Sequence, residues 1–371
     1  MAIKRIDELG AATPLLTDFL PATPTGGPST KATVKQLYES NIFAVSVAYT
    51  GTAPAPFGAI VSAKSGAQSG STLTVSDGVT IETFAYSNGP STTLTYANLA
   101  GIRGTSTMTA WPNLTSLSFP VLTFCGANFG PSTMASLTTF SVPALVYVGS
   151  TFNPGTMASL TTFSVPALAY VVNFAPTTMG SLTTLSAPAL VYVGSAFTPN
   201  AMASLTTFSF PALAYVASTF NPGTMAALTT MSLPALTSVG VDFARTVFTG
   251  GNIAPATMGN LTTLTFPVIE VIGSTSSISV NIITAVAALS TFTLGSTLQR
   301  VEGNVIMTSN ALLVASVDGL LVRLAALDGT GLTTAYSSKT VTITGTSATP
   351  SATGLSAKAT LVARGCTVTH N

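Results

Sequence analysis

Charge is what this chain has least of. Its 371 residues include 12 Lys plus Arg and 11 Asp plus Glu, a net +1. Only 6% of residues are charged, where a soluble domain usually has about 25%. Residues 104–241 contain no Asp, Glu, Lys, Arg or His at all. Nucleic acid is therefore not an expected partner, because phosphate neutralisation needs clustered Lys and Arg. The one histidine is His370, beside the C-terminus, so no internal His-based triad, His-rich metal site or His general base exists. Cys125 and Cys366 lie in different parts of the chain and share no metal-ligand spacing; both read as reduced, buried small hydrophobes. No apolar run reaches the roughly 18 residues of a membrane helix, so membrane insertion is not expected. The N-terminal MAIKRIDELG has two basic residues but no apolar stretch after them, so no secretory signal is expected. Nothing calls for a cofactor or a metal.

What is present is a core and a solvating surface of another kind. Apolar residues make up 47% of the chain, which argues against disorder. Ser and Thr number 103, so hydroxyls stand where charges usually do. Self-similarity dominates. Leu114, Leu137, Leu160, Leu182, Leu205 and Leu228 each open a unit like LTTFSVPALVYV, at spacings of 23, 23, 22, 23 and 23 residues. Leu261 and Leu289 follow after units of 33 and 28 residues. A proline ladder, Pro120 through Pro267, keeps the same offsets, and a weaker copy at Leu94, Tyr96, Leu99 and Ile102 precedes the set.

Within one unit Phe140 and Val142 alternate around Ser141, the period of a half-buried strand. Pro143 cannot donate to a ladder, so the strand must end before it. Leu145, Val148, Phe152 and Met157 supply further inward anchors before Leu160. One such coil cannot bury its own apolar edges and needs stacked neighbours. The reading is a β-rich solenoid with a parallel sheet, about 4.8 Å between coils.

The openings LTTFSVP (137–143) and LSTFTL (289–294) resemble leucine-rich repeats of the bacterial surface-antigen type, over residues from about 91 to 310. The unit departs from that family in lacking most of its charged and cysteine positions.

Two ladders are candidates for contact. Thr138, Thr139 and Ser141 recur as Thr161, Thr162 and Ser164, then Thr183, Thr184 and Ser186. They read either as a solvated hydroxyl surface or as a contact surface for sugars or a neighbouring subunit. Tyr147, Tyr170, Tyr192 and Tyr215 recur between inward anchors, so their rings should be partly exposed. They read either as edge packing or as a glycan-stacking strip. The 33-residue unit carries an insertion at 239–256 with Asp242 and Arg245, read as a binding loop or as an internal pair that fixes the loop.

The ends differ from the repeat. In the C-terminal stretch, Ser316 can cap a helix over about 317–327 with Asp318 in its first turn and Gly329 as its stop. KTVTITG (339–345) alternates as a strand, Ser351 can cap a second helix that Gly365 ends, and CTVTHN closes as a last strand. This α/β cap, residues 311–371, would cover the last coil. The tail from Thr344 resembles the closing segment of phage-encoded repeat proteins, with Cys366 where an aromatic is usual. Residues 1–45 resemble the attachment segment of phage tail-fibre and head-fibre proteins. Thr17, Asp18, Phe19, Leu20, Gly26, Gly27, Thr30, Lys31, Thr33, Val34 and Leu37 carry that likeness. Residues 46–90 read as a β-rich connector.

These resemblances imply a virion structural protein, a fibre, spike or decoration component, attached through its N-terminal segment to other virion proteins. They also imply a homo-oligomer, a trimer by analogy with fibres, and contact with a host-surface glycan or protein. A bacterial surface adhesin built from the same repeats is the alternative. An enzyme is not expected. Glycan cleavage needs carboxylates about 5–10 Å apart, yet Glu270 and Glu302 lie more than one coil apart and Asp242 sits on the insertion.

Overall fold

The computed structural model describes residues 92–97, 99–240, 253, 258–273 and 286–371. It also describes the backbone of five short strands before them: Ser46–Thr50, Ala67–Ser69, Thr72–Thr74, Val79–Ile81 and Thr83–Ser87. The attachment-like segment 1–45 and most of the insertion lie outside the described residues.

The described residues form a parallel β-solenoid with a small C-terminal α/β cap. Each coil turns twice through tight four-residue turns. Met134 to Leu137 makes one, with the Leu137 amide donating to the Met134 carbonyl at 3.0 Å. Val142 to Leu145 makes the other, with Pro143 in the position whose φ proline presets and the Leu145 amide on the Val142 carbonyl at 3.3 Å. The strand Thr139–Ser141 ends just ahead of this turn, as the proline requires.

Two ladders run along the axis. The Thr-Phe-Ser strands build successive three-stranded parallel sheets, pairing Phe140 with Leu117 and Phe163 with Leu185. The Tyr-Val strands build a longer sheet in which Val148, Val171, Val193, Val216 and Val239 align in register. This second ladder does not begin at residue 91. Val79–Ile81 pairs in parallel with Leu99–Ile102, and Thr83–Ser87 with Ser106–Thr109. The insertion leaves at the corner after Val239, and the ladder resumes where Ile253 bridges to Phe220.

Inside runs one apolar spine. Leu137, Leu160, Leu182, Leu205 and Leu228 have no exposed surface, and neither do Met157, Met179 and Met202. Phe129, Phe152, Phe174, Phe197 and Phe220 stack with centroids 5.1–5.8 Å apart and interplanar angles of 4–20°. Offset stacks of this kind add to the burial itself. Ser106 occupies the same column one coil earlier, paired with Phe129. It is buried with a hydroxyl that finds no partner.

The cap is three parallel strands, Val305–Asn310, Thr340–Gly345 and Thr367–His370, joined by helices α1 (Val314–Ala325) and α2 (Ala352–Ala363). Ser351 caps α2, its hydroxyl accepting from the Thr353 amide, and Gly365 follows at φ +77°. The expected start of α1 is corrected. It begins three residues earlier, after Leu313, with no side-chain cap. Ser316 sits inside its first turn, donating to the Ser290 carbonyl and accepting from the Phe292 amide, so it stitches α1 onto the last coil. Asp318 does not serve the α1 terminus either; it accepts from the amide and hydroxyl of Ser351 and anchors α2. Gly329, at φ +87°, lies in the turn beyond a helix that has already ended at Ala326. Arg364 donates to the Ala325 and Leu327 carbonyls at 2.9 and 2.8 Å, covering the open end of α1. Cys366 is buried, its thiol meeting the Tyr336 carbonyl at 3.7 Å.

Candidate functional site

The repeat places three rows of side chains on the outside, and each has a different fate. The first is the threonine that follows each opening leucine. Its hydroxyl donates to the carbonyl of the equivalent residue one coil back: Thr115 to Thr92 at 2.9 Å, Thr138 to Thr115 at 3.1 Å, Thr183 to Thr161 at 3.0 Å. These hydroxyls tie coils together, so their protons are committed within the solenoid. The second row is Thr139 and Ser141 with their copies, paired across coils by the strand register. Thr139 is exposed and Ser141 half-buried.

The third row is the tyrosines. Tyr147, Tyr170, Tyr192 and Tyr215 stand in register on the outer side of the longer sheet. Tyr147 is 41% exposed and the others are half-buried. Tyr147–Tyr170 and Tyr170–Tyr192 stack at 5.2 and 5.1 Å with interplanar angles of 15° and 14°. Tyr192–Tyr215 is more open, 6.3 Å and 47°. A sugar stacks on a ring face, but here the faces of the inner rings cover one another, and solvent meets their edges. The geometry thus favours packing over a glycan strip. Phe124 extends the column by one coil, pairing with Tyr147 in register, and the sequence reading missed it. The signal was its offset, 23 residues before Tyr147.

Beside these rows lies a groove of about 540 Å³ crossing successive coils. Its walls come from Thr107, Asn128, Ser132, Thr151, Asn153 and Thr177, with Gly130 and Gly155 between them. The glycines hollow it. Bridges align Gly155 between Ser132 and Thr177, and a β-carbon on it would come within 2.9 Å of the Thr177 hydroxyl. Asn128 accepts from the Thr151 amide at 3.1 Å, which holds its carboxamide in place. Positive φ values recur at one corner of successive coils, Ala110 (59°), Thr133 (59°), Thr156 (53°), Thr178 (57°) and Ala201 (57°), and of these Thr156 lines the groove.

Groups of unusual chemistry are few. Cys125 and Cys366 are free and buried. Burial pushes the Cys125 thiol up to about 11, partly offset by the Ala127 and Ser106 amides. Burial likewise raises the Tyr336 phenol, with Cys366 adding to it. Glu302 pairs with Arg300, and Glu270, expected more than one coil away, instead lies on the adjacent coil, its carbonyl accepting from the Gln299 and Arg300 amides. Among the described residues no cluster of His, Cys, Asp or Glu could hold a metal ion. No helix among them is long and apolar enough to cross a membrane. Asp242, Arg245 and the segment bearing Asp18, Phe19, Leu20, Gly26, Gly27, Thr33 and Leu37 fall outside the described residues.

The fold and surface define a capped parallel β-solenoid whose coils carry no charged residue over residues 104–240. No family model, curated protein or solved structure matches the chain.

Proposed function

We propose that the chain is a structural component of a phage virion, a fibre, spike or decoration protein that presents its solenoid to a host surface. Residues 1–45 hold it to other virion proteins in this reading, and copies associate as trimers, as fibre-like attachment segments imply. The observation that supports it most is mechanical. Among the described residues, successive coils are hydrogen-bonded along the whole of the longer ladder and, in groups of three, along the Thr-Phe-Ser strands, around a continuous apolar spine closed by a cap. Such a rod transmits position rather than performing chemistry, which suits display. Its neutral surface also suits close packing against copies, since charges trapped in an interface carry a desolvation cost.

Mass spectrometry of purified particles, with immunogold labelling of intact ones, tests the proposal. Peptides from the chain in the particle, with label on head or tail, are the expected result. Chain absent from particles and label on the bacterial envelope would overturn it in favour of a cell-surface adhesin.

A further inference from the structure

The groove beside the Thr133–Thr156 corner breaks the repeat that surrounds it. Elsewhere along the ladder the position after each inward aromatic carries a side chain, as in Asn153, Ala175 and Thr198. At Gly130 it carries none, which no other described coil repeats, and at Gly155, as again at Gly223, the neighbouring row is emptied too. The resulting hollow of about 540 Å³ is within the roughly 300–1,000 Å³ range of small-ligand sites.

Its chemistry narrows the occupant. The walls offer hydroxyls and two carboxamides, and none of the lining residues is charged. An anionic ligand would find no guanidinium or ammonium to offset its desolvation. An apolar ligand would strip water from the hydroxyls without replacing their bonds. An extended peptide would need free main-chain groups, but those of the walls are committed between coils. The Asn153 amide donates to the Phe129 carbonyl at 2.9 Å, the Gly155 amide to the Pro131 carbonyl at 3.0 Å, and the Ser106 amide to the Asn128 carbonyl at 2.7 Å. What remains is a ligand whose own groups both donate and accept, at short intervals, without charge. With its oxygen held by the Thr151 amide, Asn128 keeps its NH2 donors for such a ligand, and Asn153 stands exposed beside it.

We infer that this groove is a binding site for a neutral saccharide, and that it, rather than the tyrosine column, is where the solenoid touches a glycan. The inference rests on the surface-attachment reading and names its ligand class. Glycan contact by a repeat rod then uses a hollow that crosses successive coils, with the stacked rings serving as scaffold.

The test uses the full-length protein titrated with neutral linear oligosaccharides (maltohexaose, cellohexaose, mannohexaose and chitohexaose) and with oligogalacturonate as the acidic control. Binding of at least one neutral oligosaccharide with Kd on the order of 1 mM or tighter is expected, with none for the acidic control. Gly130→Tyr, which fills the groove, and Asn153→Ala, which removes an exposed carboxamide, should each weaken that binding about tenfold or more at an unchanged melting temperature. Tyr170→Ala should leave it intact. Failure of every neutral oligosaccharide to bind would overturn the inference, as would equal binding of the acidic one. So would binding that Asn153→Ala and Gly130→Tyr spare and Tyr170→Ala removes. Particle mass spectrometry is independent of this outcome, so a chain found in virions but blind to glycans would end the groove assignment alone.

Discussion

At the scale of single residues the repeat tolerates some strain. Thr133 has φ 59°, a region that costs a β-branched residue about 1–2 kcal/mol. Its exposed side chain makes no compensating burial. Thr133→Gly is therefore expected to raise stability by about 1 kcal/mol, the lower backbone entropy of threonine in the unfolded chain offsetting part of the relief. Chemical denaturation followed by far-ultraviolet circular dichroism measures it, and a loss of stability would contradict the assigned backbone. Cys125 makes a pH prediction. Its thiol is held up to about 11 against an ordinary 9.0. Between those values the unfolded chain has lost a proton that the folded chain keeps, so stability falls as pH rises from about 9 to 11. Tyr336 adds to the alkaline loss at higher pH, since its phenol is also raised. Thermal midpoints across that window should fall less steeply in Cys125→Ala than in the native chain.

At the scale of one coil, two turns and two short strands bring seven inward side chains into contact with the coils on either side. Leu160 and Leu182 are wholly buried, each closing its turn through a bond from its own amide to Met157 or Met179. Shortening either to alanine leaves a void between coils that cannot close without moving the ladder. Leu160→Ala and Leu182→Ala should each cost about 2–5 kcal/mol, whereas Thr161→Ala, on the exposed side of the same turn, should cost under about 1 kcal/mol. Equal effects in urea titrations would mean that the inward register is wrong. These inward positions were legible because the apolar spacing repeats with little variation. The roles of the outward threonines were not, since a hydroxyl that stitches coils and one that faces water are the same residue in the sequence.

At the scale of the molecule, a stack of coils has two open ends and depends on covering them. The last coil is covered by α1, fastened through Ser316 to Ser290 and Phe292, and α1 is held in turn by Asp318 to Ser351 and by Arg364. Truncation after residue 310 should expose the last coil's apolar face. It is expected to give aggregates by light scattering and a lower melting temperature, and a monodisperse product with an unchanged midpoint would show that the cap is dispensable. By itself the amino-acid order determined the coil length, the inward column, the strand stop at each proline, the break at the insertion and the change of period that announces the cap. Those features are local or periodic, so spacing and residue chemistry suffice to specify them. Only the tertiary structure decided how far back the parallel ladder runs, where α1 begins, that the tyrosine rings cover one another's faces, and that Gly130 and Gly155 open onto one groove. Each of these depends on which residues of neighbouring coils come to lie side by side, and a side chain's neighbours in the next coil are set by packing, not by its own place in the chain.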